Sequence, residues 1–134
     1  MMKVLFALVV LSALTLVACS GGSQSETVSA PAPVPAEYAG KSNPLDADSA
    51  SAGAEVFKAN CVSCHGDAGR GDGPAGQALD PKPKDLSKLQ AMVGDDYLYW
   101  RINTGKEGTA MAAWRGILTE EQIWQLVAFI RTLK

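Results

Sequence analysis

The sequence predicts a small all-α helical bundle as the folded part of this 134-residue chain. Three observations carry that expectation. Apolar residues recur at helical spacing in three segments beyond residue 48. No segment there alternates apolar and polar residues as a half-buried strand would. The last segment opens on Thr119-Glu120-Glu121-Gln122. In that pattern a Thr side chain and a Gln three residues on satisfy each other's free backbone donors at a helix start.

The elements follow in chain order. Lys3 precedes an uncharged, mostly apolar run from Val4 to Val17. A short positive region and an apolar run too short to span a bilayer comfortably read as a secretory signal peptide over residues 1–18. The run ends in Leu16-Val17-Ala18-Cys19, which resembles a bacterial lipobox. In such a motif the Cys is diacylated and becomes the first mature residue. The competing reading is an incidental Cys in an uncleaved signal anchor. Residues 19–47 are rich in Ser, Ala, Pro and Gly, with Pro31, Pro33 and Pro35 closely spaced. No apolar period offsets their ordering entropy, so they read as a lipidated flexible tether. Some 28 flexible residues have a root-mean-square reach of about 30 Å.

Residues 48–134 read as one domain, small enough that its own core is marginal. The first helix runs from about Ser49 to Asn60, with Val56 and Phe57 on its apolar face. Gly53, one turn before Phe57, is costly inside a helix, and a close crossing with another helix explains it. A Gly/Pro/Asp-rich loop spans Gly66 to about Leu86. The second helix runs from Asp95, as N-cap, to Asn103, and Gly105 ends it. The third follows Thr119, with Ile123, Leu126, Val127, Ile130 and Leu133 on one face and Phe129 available to meet Gly53 and Phe57.

Between the first helix and the loop stands Cys61-Val-Ser-Cys64-His65. C-x-x-C-H is the attachment signature of a c-type haem. Two thiols on one helical turn reach the two vinyl groups of a porphyrin, and the adjacent His lies beneath the ring as proximal iron ligand. A redox C-x-x-C pair and half of a zinc site are the alternatives. No βαβ pattern surrounds the motif, and no other His remains in the chain to complete a zinc site. Cysteine use then closes: Cys19 takes lipid, Cys61 and Cys64 take one covalent haem c, and no pair is left for a disulfide. His65 is the only His, so two-His ligation within one chain is excluded. Once the leader is removed, Met92 and Met111 remain as candidates for the sixth ligand. Met111 sits in a turn-rich segment between helices; Met92 precedes the second helix and is equally readable as a core side chain.

Residues from about 50 to the end resemble the class I cytochrome c family. The resemblance rests on Gly53-x-x-x-Phe57, the haem motif, Gly66 and Gly71-Asp72-Gly73-Pro74. It continues through Pro81-Lys82-Pro83-Lys84-Asp85-Leu86, Tyr99-Trp100-Arg101-Ile102-Asn103-Thr104-Gly105 and Gly108-Thr109-Ala110-Met111 to the final helix. It implies a cytochrome c-like bundle whose terminal helices cross at small and aromatic residues. It also implies Met111 as distal ligand and a Pro carbonyl, from Pro83 or Pro81, supporting the His65 ring. One position departs from the family: Ala112 stands where Pro usually follows the ligand Met. Trp100, Arg101 and Trp114 read either as reaching the ring and its propionates or as core aromatics and a solvated Arg. Lys82, Lys84 and Lys88 read as a positive rim for a partner or as a solvated loop.

The composition, 12 Lys+Arg against 14 Asp+Glu, offers no basic footprint for nucleic acid. The expected function is that of an electron carrier and not an enzyme. It would be exported, lipid-anchored to a bacterial membrane through Cys19, and face the periplasm or cell exterior. It would exchange single electrons with redox protein partners and take no small-molecule substrate. Its competitors are a haem-binding subunit of a larger oxidoreductase and a haem enzyme such as a peroxidase, which needs an open sixth position.

Overall fold

The first predicted helix forms over Ala50–Asn60 (α1), preceded by a 3-10 turn at Ala47–Ser49, in a computed structural model that describes residues 30–134. The expected signal peptide, Cys19 and the first part of the tether lie outside the described residues. Helices α2 (Val62–His65), α3 (Leu86–Leu89), α4 (Asp95–Thr104) and α5 (Glu120–Thr132) follow. The described residues form no β-strand, only an isolated bridge between Arg115 and Leu118. None of their helices is long and apolar enough to cross a membrane.

Two helices carry the body of the fold. Gly53 and Phe57 form the buried face of α1, and α5 crosses them. A Cβ at Gly53 would overlap the Gln125 carbonyl and stand 2.9 Å from the Phe129 Cβ, so the backbones meet there as the sequence suggests. The Phe57 and Phe129 rings lie 5.0 Å apart in a tilted pair. The capping box forms: Thr119 Oγ1 accepts from the Gln122 N–H at 3.2 Å, and Gln122 Oε1 accepts from the Thr119 N–H at 2.9 Å. Helix α5 then buries Ile123, Leu126, Val127 and Ile130. It also buries Trp124, which stacks on Tyr99 of α4 at 4.2 Å. Gly105 takes φ +70° and ends α4, a conformation that L side chains rarely adopt.

Three features differ from the sequence expectation. Asp95 does not cap α4; Gly94 holds that position, and the Asp95 carboxylate bonds Arg131 Nε at 2.8 Å and the Asn43 N–H at 3.1 Å. Arg131 also donates to the Gln90 and Val93 carbonyls, so one side chain on α5 fastens the α3–α4 connection. The polar loop hides α3, whose N-cap Asp85 accepts from Ser87 N–H at 3.0 Å and Lys88 N–H at 3.3 Å. Finally, a tether reaching residue 47 needs correction at its C-terminal end. Tyr38 packs 6.2 Å from the Tyr99 ring, and its hydroxyl accepts from Asn103 Nδ2 at 3.0 Å. Asn43 Nδ2 donates to the Trp124 carbonyl at 2.9 Å, the Gly40 N–H to Asp96 at 2.9 Å, and Leu45 joins the core. Residues 38–45 are therefore a strap bound along α4 and α5. Its anchors are a few apolar and amide side chains that the bulk composition conceals.

Candidate haem-binding site

The motif residues are positioned by hydrogen bonds that run from α1 into α2. The Cys61 N–H donates to the Phe57 carbonyl at 2.8 Å, and the Cys61 carbonyl accepts from Cys64 at 3.1 Å and His65 at 2.9 Å. One helical turn thus carries both thiols and the imidazole. Cys61 and His65 border an apolar cavity closed by Phe57, Leu86, Leu98, Ile102, Leu126 and Ile130. Met111 and Trp114 border it from the 105–119 loop, and Tyr97 and Arg101 from α4. Cys64 is half-buried and is not among the residues that line it.

The electrostatics suit a covalent haem better than a dithiol switch. Burial pushes the Cys61 thiol up to about 12, with Cys64 adding to the shift. A redox C-x-x-C needs the opposite, a thiolate favoured near neutral pH. Burial also pushes His65 below its ordinary value, against a smaller opposing effect from the backbone at Lys84. The imidazole is thereby kept neutral, the form that ligates metal. His65 Nδ1 is buried and makes no hydrogen bond. The Pro carbonyl implied by resemblance, from Pro83 or Pro81, therefore makes no bond to that nitrogen. Among the described residues no cluster of three or more His, Cys, Asp or Glu could hold a metal ion, so the zinc alternative has no site there.

The two methionines separate clearly. Met92 is 52% exposed and borders no part of the cavity. Met111 is half-buried against it on a loop pinned from both ends. The Met111 carbonyl accepts from the Lys106 N–H at 2.9 Å, and Thr109 Oγ1 accepts from the Met111 N–H at 3.2 Å. The Trp114 and Arg115 N–H groups reach the Ile102 and Asn103 carbonyls at 3.1 Å each. These bonds restrain the loop where Ala112 replaces the family's Pro. Lys82 and Lys84 are exposed, and Lys88 pairs with Asp85 at 3.5 Å. Arg101, read from the sequence either as reaching the ring and its propionates or as a solvated side chain, lies against the cavity with its Nε buried and without a partner. Its guanidinium stands 3.7 Å from the Trp100 ring centroid.

The donor set fits haem c: thiols at attachment spacing, a neutral imidazole, a thioether on the same cavity, apolar walls, and a half-buried cation on the rim. A helical body built this way around one C-x-x-C-H site is that of a monohaem c-type cytochrome. Residues 48–130 match the family described as cytochrome c oxidase, cbb3-type, subunit III, and the chain belongs to that family. The strap lies ahead of the matched residues.

The chain is similar to the Cbb3-type cytochrome c oxidase subunit FixPc of Rhizobium leguminosarum bv. viciae. They are 34% identical over 90 residues, 67% of this chain and 30% of that protein. It is similar to cytochrome c6 of Synechococcus elongatus, 34% identical over 78 residues, 58% of this chain and 83% of the relative. A chain of the Kuenenia stuttgartiensis reducing HAO-like protein complex superposes with a TM-score of 0.59 at 27% identity. That match covers 68% of this chain and 47% of the other. The chain therefore spans less than a third of FixPc but most of the cytochrome c6. The cofactor of the class is covalently bound haem c.

Proposed function

We propose that this chain is a membrane-anchored carrier of single electrons between redox proteins on the exported side of a bacterial membrane. The observation that supports it most is the shared cavity of Cys61, His65 and Met111, with Met92 half-exposed outside. Cys61 and Cys64 would hold the porphyrin through thioethers, His65 would be the proximal ligand, and Met111 the distal one. When bound, haem c supplies a one-electron ferric/ferrous couple. The chain's residues do the rest. Burial keeps the His65 imidazole unprotonated and free to bind metal. Phe57, Leu98, Ile102 and Ile130 exclude water. Met111 lines the cavity, and its thioether would fill the side of the haem where a substrate would have to bind, so no small-molecule turnover is expected. Lipid on Cys19 would tie the carrier to the membrane.

Three measurements test this reading. Acidic organic solvent should leave the haem with the polypeptide. Ferrous protein at neutral pH should bind carbon monoxide slowly and turn over little peroxide. Intact mass should show acyl chains on an N-terminus at Cys19. Extractable haem, prompt carbon monoxide binding with strong peroxidase activity, or a lipid-free mature form would overturn the corresponding part. The family description and the FixPc relative favour one second reading, a haem subunit held inside a larger oxidoreductase. Co-purification at fixed stoichiometry from mild-detergent membranes would select it; a stable isolated monomer would select the carrier.

A further inference from the structure

We propose that Tyr38, on the strap, is a positioning residue for Met111: its hydroxyl clamps the last turn of α4, suppresses fraying there, and so holds the thioether at the cavity. The proposal rests on Met111 as the distal ligand of haem c. Tyr38 lies ahead of the matched residues 48–130, so the clamp stands outside the segment this chain shares with its family.

The loop that carries Met111 is seated on the end of α4. The last carbonyls of a helix have no partner within it. Here the loop supplies them. The Ile102 carbonyl accepts from the Trp114 N–H and the Asn103 carbonyl from the Arg115 N–H, each at 3.1 Å. The Met111 carbonyl accepts from the Lys106 N–H at 2.9 Å, just past the helix stop. At Gly105 the two backbones touch: a Cβ there would stand 2.5 Å from the Met111 carbonyl oxygen and 2.7 Å from the Ala113 nitrogen. Backbone groups of residues 102–106 thus hold residues 111–115, and that turn must stay formed for Met111 to stay on the cavity.

Helix ends fray. The strap grips this one. Asn103 Nδ2 donates to the Tyr38 hydroxyl oxygen at 3.0 Å, and the Tyr38 ring packs 6.2 Å from that of Tyr99, one turn earlier on α4. Tyr38 is itself fixed: its N–H donates to the Pro35 carbonyl at 2.9 Å, and the nearby Gly40 N–H donates to Asp96 at 2.9 Å. Asn103 therefore receives the strap on its side chain and holds the Met111 loop on its carbonyl. Opening the last turn must break the strap bond together with the loop bonds. One net hydrogen bond changes such an opening equilibrium about fivefold. Tyr38 does this without bordering the cavity.

The test compares holoprotein of the natural chain, Y38F and N43A. Y38F keeps the ring and loses the hydroxyl. N43A removes the strap's side-chain bond to the Trp124 carbonyl on α5 and leaves the Asn103 bond in place. Two quantities are read: the rate of carbon monoxide binding to ferrous protein at neutral pH, and the weak long-wavelength band of the thioether–ferric bond in guanidinium below global unfolding. Y38F should bind carbon monoxide about fivefold faster. It should also lose the band at lower guanidinium than it loses far-UV dichroism. The natural chain and N43A should bind slowly and lose band and fold together. A merely stabilising Tyr38 would shift unfolding alone, so a Y38F rate equal to the natural one overturns the proposal. An N43A rate raised as much as that of Y38F also overturns it, because any loosening of the strap would then suffice. If Y38F yields no holoprotein, N103A, which removes the donor of the same bond, decides by the same rate. A natural chain without the long-wavelength band, or one that keeps it in M111L, would instead sink the ligand assignment on which the proposal stands.

Discussion

Gly53→Ala adds one methyl group where the backbones of α1 and α5 touch, and the structure sets the sign and size of its effect. In an open helix the same change would stabilise by about 1 kcal/mol, because Gly surrenders more backbone freedom than Ala. Here the new Cβ would stand 2.5 Å from the Gln125 carbonyl carbon and 2.9 Å from the Phe129 Cβ. Carbon atoms pack at about 3.5–4.0 Å, so the helices must part by about 1 Å. The obstacle is backbone, which cannot turn aside as a side-chain tip can. Forced separation of a packed contact costs about 1–3 kcal/mol. It also loosens the Phe57–Phe129 pair, worth about 0.5–1.5 kcal/mol beyond its area. The propensity gain offsets part of this, leaving a net loss of about 1–3 kcal/mol. Guanidinium unfolding of holoprotein, followed by far-UV dichroism and haem absorption, measures it. Lys58→Ala, on the exposed side of α1, serves as control and should stay within about 0.5 kcal/mol. A Gly53→Ala protein as stable as the natural one, or more so, would refute the close crossing.

Met111→Leu should abolish the weak long-wavelength band of a thioether–ferric bond and lower the potential. Met92→Leu should keep both and change stability by less than about 1.5 kcal/mol; reversed results would exchange the two roles. Tyr38→Ala should cost about 1–3 kcal/mol through its contact with Tyr99 and its bond from Asn103, and should open residues 38–45 to protease. Cleavage there in the natural holoprotein at the rate of an unfolded chain would remove the strap. Thr119→Ala should cost about 1 kcal/mol by breaking the capping box, read from the same unfolding curves.

The elements most legible in the sequence are those specified by neighbouring residues. The capping box at Thr119, the stop at Gly105 and the apolar stripe of α5 each depend on side chains within a few positions, and they form where local chemistry puts them. The haem motif is local for the same reason. What stayed hidden depends on distant partners. Asp95 is a good N-cap by type, but Arg131, 36 residues away, takes its carboxylate. Asn43 and Tyr38 look like linker residues until Trp124, Tyr99 and Asn103 are brought against them. Helix α3 carried a readable signal in Asp85-Leu86-Ser87-Lys88, an N-cap followed by donors, masked by the surrounding prolines. The choice between Met111 and Met92 was open to residue chemistry alone and leaned on resemblance. Burial separates them because the loop bonds back onto the end of α4.

The strap also resets the geometry of a lipid anchor. With attachment at Cys19 as proposed, a connector running to residue 47 would comprise about 28 residues and wander about 30 Å. Fastening at Tyr38 leaves about 18 between lipid and folded body. Treated as a free chain, those span about 23 Å. Local concentration at a matched partner scales inversely with the three-halves power of leash length, so it rises about twofold. Under that proposed anchoring, the same shortening would exclude partners that stand farther from the bilayer. A few hydrogen bonds from the strap to α4 and α5 would then act as a range setting, confining the domain to the layer of proteins nearest the membrane surface.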